Sequence, residues 1–287
     1  MTITKTGAFA EDPILGQYSY GDLAAGSITV DTDTFTVAAS DTMVNPFLEV
    51  GDNATGTVTV TGTGALFLVQ SNGLDGATTT AHFGAVGTST AQGDAILNVP
   101  NGGTYRIEVF ATLTLRGAAN SLSLVNSTGL VEATGTASGV IGSSSAGAGV
   151  ASQLSLDNST FTFKSGGQPV RDQQRSASVD IAGGLGSKGE LTLSNGSILN
   201  VESGYRASLD FGVFGAGNGS ITGGSTINLK ATEGVTSYIG VARSGSANID
   251  VDGSAYNLEG GFAQLRIGRQ SDLTTPPTAT VNLVNGA

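Results

Sequence analysis

The 287-residue chain contains no cysteine and no tryptophan, two methionines and a single histidine. Without cysteine, disulfides, thiolate nucleophiles and thiolate metal sites are all excluded. His82 has no second histidine with which to build a metal site, and no Gly-x-Ser-x-Gly elbow sits in a strand-turn-helix pattern to give it a serine partner, so it reads as a loop or partly exposed residue. Bases are scarce as well, twelve against 23 acids for a net charge of −11. That balance excludes the basic footprint that nucleic acid requires, and it disfavours an anionic membrane surface. No apolar run approaches the roughly 18 residues of a membrane span. Residues 1–7 lack a positive segment followed by an apolar core, so export is expected through a C-terminal signal or a leader removed ahead of Met1. Proline is rare and glycine abundant, 6 residues against 44, without the period of collagen. No segment has the three-and-four apolar spacing of a helix.

What the chain does have is one pattern repeated along its length. In Leu191-Thr-Leu-Ser-Asn195-Gly-Ser-Ile-Leu199-Asn-Val201, leucines alternate with polar residues, break at Asn-Gly, and resume. Period-two alternation predicts strands with one buried face on either side of a tight corner. Copies begin at Val58, Leu97, Leu122, Leu154, Gly219, Ile249 and Val281, spaced 25 to 39 residues apart with a mean of about 32. A third element, such as Leu48–Gly51, Gly84–Gly87, Leu113–Gly117, Gly139–Gly142, Leu209–Gly212, Tyr238–Gly240 or Leu265–Gly268, precedes most copies. Strands this short cannot bury an apolar face alone, whereas stacked turns can, so the period predicts an all-β solenoid with three short strands per rung. Asn101, Asn126, Asn158, Asn195 and Asn285 recur at the corner, with Gly62, Gly223 and Gly253 where asparagine is missing. These types tolerate left-handed backbone, and a column of them can hydrogen-bond along the stack.

Residues 1–45 follow the repeat poorly, although Ser27–Val30 and Thr34–Val37 alternate like strands. They are expected to cap the repeats of residues 46–287. The chain stops at the Asn285-Gly286 corner, and the expectation there is continuation into a longer polypeptide or self-association, since an open rung is a sticky edge.

Candidate sites are few. Residues 1–105 carry one base against ten acids, so any calcium is expected around Asp31, Asp33, Asp41 and Asp52, where metal would relieve repulsion. No nonapeptide calcium motif is met, because Gly183-Gly-Leu-Gly-Ser-Lys188 puts lysine at the carboxylate position. Lys164, Arg171, Asp172, Arg175 and Lys188 form one local charge anomaly; the segment 165–176 within it lacks alternation and reads as a loop bulging from one corner, and Arg171, Asp172, Arg175 and Lys188 are the nucleus that a polysaccharide-cleaving enzyme would need. The threonines at 55, 57, 59, 61 and 63 line one strand face, but thriving in strands explains them better than ice binding does.

Through copies such as Gly189-Glu-Leu-Thr-Leu-Ser-Asn-Gly-Ser197, residues 46–287 resemble the passenger regions of bacterial autotransporters and related giant surface adhesins. The resemblance implies a right-handed parallel β-helix displayed outside the cell. The expected function is that of a non-enzymatic structural or adhesive protein at the cell surface or beyond, with no catalytic residues and no cofactor other than calcium. A polysaccharide-binding or polysaccharide-cleaving β-helix is the alternative.

Overall fold

The computed structural model describes residues 2–7, 9–14, 17–20, 25–37, 47–50, 56–61, 65–70, 79–83, 95–100, 104–108, 111–115, 121–133, 136–142, 151–166, 176–241, 245–269 and 278–287. One rung runs through the strands Lys188–Ser194, Ile198–Ser203 and Arg206–Phe211, and the chain then returns to the first face as Ala216–Ile221. The alternation dictates this path: Leu191, Leu193, Leu199, Val201, Leu209 and Phe211 are buried, and the residues between them face outward. Stacking the rungs produces a parallel β-solenoid with three sheets, of ten, eight and ten strands. Among the described residues there is no helix. The first residues of the eight repeat copies, from Val58 through Leu97, Leu122, Leu154, Leu191, Gly219 and Ile249 to Val281, are consecutive Cα partners in the first sheet. The uneven spacing of the copies therefore falls between these strands, and their register is kept.

At the corner between the first and second sheets, Asn126, Asn158, Asn195 and Asn285 have φ between 46° and 55°, and Gly223 and Gly253 have φ of 65° and 53°. Left-handed backbone thus selects asparagine or glycine here. The residue that follows matters as much. Ser127, Ser159, Ser197, Ser225 and Ser254 are all buried. The Ser127 N–H donates to Ser159 Oγ at 3.0 Å, Ser159 N–H to Ser197 Oγ at 3.2 Å, Ser197 N–H to Ser225 Oγ at 3.2 Å and Ser225 N–H to Ser254 Oγ at 3.1 Å. Each hydroxyl donates in turn to a carbonyl of its own corner, at 2.6–2.9 Å. Amides that the turn removes from the ladder are satisfied inside the protein, as buried donors must be.

The core accommodates its largest side chains by omitting others. A Cβ on Gly129 would lie 2.3 Å from Phe161 Cδ2, one on Gly139 2.5 Å from Phe163 Cε1, and one on Gly219 3.0 Å from Phe211 Cε1. Each phenylalanine occupies the space its glycine leaves, which keeps the interior close-packed.

Four differences from the sequence-based expectation have local causes. Rung pairing extends ahead of residue 46, because Gly26–Asp31 and Thr34–Val37 run parallel to Gly56–Thr61 and Leu66–Gln70. What precedes them is antiparallel: Thr2–Gly7 lies against Gly26–Asp31, and Phe9–Asp12 against Gln17–Tyr20. The rung containing Leu66–Gln70 has Thr79–Phe83 as its third strand, and Gly84–Gly87 lies outside the described residues. His82 consequently stands on a strand, in register with Glu49 and Thr114, and not in a loop. A third-sheet strand at Ser176–Ile181 escapes the repeat reading, because Ala177 and Ser178 dilute its apolar signal. At Gly234–Val241 the inward residue opposite Leu209 is Ser237, one position before Tyr238.

Candidate functional site

Of the four candidate calcium carboxylates, Asp31 and Asp33 lie among the described residues. Asp31 ends the strand Gly26–Asp31, and Asp33 Oδ1 accepts the Thr34 N–H at 2.8 Å. Asp41 and Asp52 lie outside the described residues. No group of three or more histidine, aspartate or glutamate residues converges on a metal position among those described.

Of the charge anomaly, only Lys164 and Lys188 are described, and they stand on strands of different sheets. Arg171, Asp172 and Arg175 lie outside the described residues, and Lys188 opens the first-sheet strand Lys188–Ser194. Lys164 belongs to the second-sheet strand Thr160–Ser165, where its Nζ lies 2.8 Å from Glu132 of the neighbouring rung. That contact is part of a longer series. Glu132, Lys164, Glu202, Lys230 and Glu259 occupy the same outward position on successive rungs, so the charge alternates along the stack. Lys230 repeats the contact with Glu259 at 2.9 Å. Beside it runs an amide column in which Asn200 Nδ2 donates to Thr162 Oγ1 at 3.3 Å, Asn228 to Asn200 Oδ1 at 3.0 Å and Asn257 to Asn228 Oδ1 at 2.9 Å. At the corner Asn158 Nδ2 donates to Asn126 Oδ1 at 2.7 Å. Spacings of 28 to 38 residues hide these columns from a reading along the chain.

Among the described residues, the third sheet carries the one carboxylate with a large shift. Asp180 and Asp210 are register partners on adjacent rungs, and burial pushes the Asp180 carboxyl up to about 6. A carboxyl raised by burial beside a second one is acid–base chemistry in outline. The turn at 182–187 packs over it, however: a Cβ on Gly183 would come within 3.1 Å of both Asp180 Cβ and Val140 Cγ1. Asp180 is therefore partly covered by backbone.

One end of the same sheet holds an open cavity of about 560 Å³, lined by Arg206, Ser208, Glu233, Gly234, Thr236 and Phe262 among others. Arg206, Glu233 and Phe262 are exposed, and the Arg206 guanidinium lies 4.9 Å from the centre of the Tyr205 ring. None of these residues stands out in the sequence, because it is the stacking of three rungs that brings them together. No family model, no curated protein and no solved structure matches this chain.

Proposed function

We propose that this protein is a non-enzymatic structural or adhesive β-solenoid, displayed outside the cell in the manner of an autotransporter passenger or giant surface adhesin. The observation that carries the reading is how the polar side chains are used. The buried serines, the asparagine columns and the alternating Glu–Lys series bond one rung to the next, which serves a rigid, regular rod better than it serves chemistry on a substrate. Adhesion of cells or beads carrying the purified chain to host and microbial surfaces tests it. Turnover of an acidic polysaccharide, lost on Arg175→Ala, would reverse the choice in favour of an enzyme.

Self-association belongs to the same reading. The strands Phe262–Arg269 and Thr278–Val284 leave Leu265, Ile267, Leu283 and Val284 exposed, and Ile249, Val251 and Leu283 line a cavity of about 400 Å³ beside them. An apolar, unpaired edge of this kind takes further β-structure, either a second copy or more of the same polypeptide. Calcium, if it acts, acts on the acidic first third, and equal melting temperatures in calcium and in chelator would remove it.

The polysaccharide-binding alternative is favoured by a separate observation, the open cavity beside Gly234 with an exposed aromatic ring and charges of both signs. Retention of the chain on immobilised polysaccharides tests that reading.

A further inference from the structure

We infer that the notch at Gly234 is a binding site for a carboxylated glycan, a pyranose bearing a uronic acid group. The inference deepens the polysaccharide-binding reading and rests on it. Ser176, Arg206, Gly234 and Phe262 occupy the same position on four successive rungs of the third sheet. With rungs about 4.8 Å apart, the backbones of Arg206 and Phe262 are separated by about 10 Å with no side chain between them.

Nothing in the backbone requires that gap. Gly234 is not among the glycines with positive φ, and a Cβ there would meet Arg206 Cγ at 3.7 Å and the Phe262 carbonyl oxygen at 4.0 Å, both ordinary contacts. Gly212 is the contrast: its φ is +62°, and a Cβ would lie 2.1 Å from the Ser246 carbonyl oxygen. A strand glycine without a steric reason costs stability relative to alanine, and what it supplies here is space.

The walls of that space define the ligand. Arg206 stacks on Tyr205 and makes no salt bridge among the described residues. A stacked guanidinium keeps its N–H edge free for a carboxylate, which it grips with two parallel bonds. Phe262 supplies an apolar wall suited to the C–H face of a pyranose ring. Glu233 accepts hydrogen bonds from sugar hydroxyls, and Ser208 and Thr236 offer hydroxyls of their own at the floor. Glu233 also sets the orientation: it repels any anion placed beside it, so the carboxylate of the sugar lies at the Arg206 end of the notch and its hydroxyls face Glu233.

The test is calorimetric titration of the full chain with tetragalacturonate and with the neutral tetrasaccharide cellotetraose. The expected result is tighter binding of the uronate by about tenfold or more, the contribution of a charge-assisted contact. Arg206→Gln should abolish that preference. Gly234→Leu should weaken binding about tenfold or more while leaving the melting temperature in place, with Gly234→Ala as the smaller step if leucine disturbs the strand. Equal affinity for the two sugars, no binding of either at millimolar concentration, or unaltered binding by Gly234→Leu overturns the notch. Retention on immobilised polysaccharide that survives Gly234→Leu would overturn the notch and leave the polysaccharide-binding reading standing, whereas loss of all retention in the unmodified chain would defeat both.

Discussion

Asparagine at the corner is there for its backbone. Asn195 has φ of 55°, and its Nδ2 donates to Asp157 Oδ1 on the preceding rung at 2.5 Å. Asn195→Ala should cost about 1–2 kcal/mol, because alanine keeps the Cβ that left-handed backbone disfavours and loses the polar side chain by which asparagine tolerates it, and Asn195→Gly appreciably less. Urea denaturation of the two variants measures the difference, and equal loss in both would assign the asparagine to its side-chain bond alone. Asp180 supplies a second prediction at this scale. Its folded pKa is raised to about 6 by burial, above its ordinary value of 3.8. Between those values the folded state keeps a proton that the unfolded chain releases, so stability falls as pH rises through this window and is lowest above pH 6. Asp180→Asn should therefore stabilise the protein at pH 7 by on the order of 2 kcal/mol and change little near pH 3.5. Parallel pH profiles for the two proteins would contradict this.

Among elements, the corner serines bind one turn to the next. Ser197→Ala would leave the buried Ser159 N–H without its acceptor, a loss of about 1–3 kcal/mol. Hydrogen exchange should report it as faster exchange at Ser159, and an unchanged Ser159 amide would mean that the serine column holds nothing. The phenylalanine–glycine pairs make a prediction about packing. Gly129→Ala places a methyl within 2.3 Å of the Phe161 ring, an overpacking penalty of about 1–3 kcal/mol. In a Phe161→Leu background the penalty should shrink, and the double-mutant cycle should return a coupling of about 0.5–3 kcal/mol. Strict additivity would show that the core relaxes around the methyl.

At the scale of the whole molecule the two ends of the solenoid differ. The first rung is covered by antiparallel strands on the first and third sheets, and on the second Lys5 Nζ lies 5.0 Å from the centre of the Phe35 ring, held by the carboxylate of Glu11 at 2.5 Å. Aggregation at that edge is blunted by charge and by reversal of strand direction. The last described rung instead presents Leu265, Ile267 and Leu283 at 47%, 52% and 62% exposure. Sedimentation of the 287-residue chain should accordingly show concentration-dependent association, which Ile267→Glu with Leu283→Glu removes. A monomer at all concentrations, unaltered by the two charges, would place the association elsewhere or nowhere. The alternating Glu–Lys series contributes little to stability by itself, being solvent-exposed; a register slip of one residue would part its pairs.

The architecture was legible in the sequence because its determinants are local and recur. Alternation of apolar residues sets which face is buried, left-handed backbone selects Asn126, Asn158, Asn195 and Asn285, and a short strand has no way to bury its face except by stacking. Even the register was readable, since every repeat copy begins on the same column. What the chain could not reveal alone is which side chains meet across rungs, because the turn lengths vary and contacts fall 28 to 38 residues apart. Ser197 reads as an ordinary polar turn residue until the neighbouring amide is placed against it. Gly129 reads as a strand breaker until Phe161 fills its space, and Ser237 becomes a core residue only because its Oγ donates to the Leu209 carbonyl and pairs with the Tyr256 hydroxyl at 2.7 Å. The groove at Gly234 is the extreme case, for a space between Arg206 and Phe262 has no sequence signature: it exists because stacking sets the two 56 positions apart in sequence yet about 10 Å apart in space.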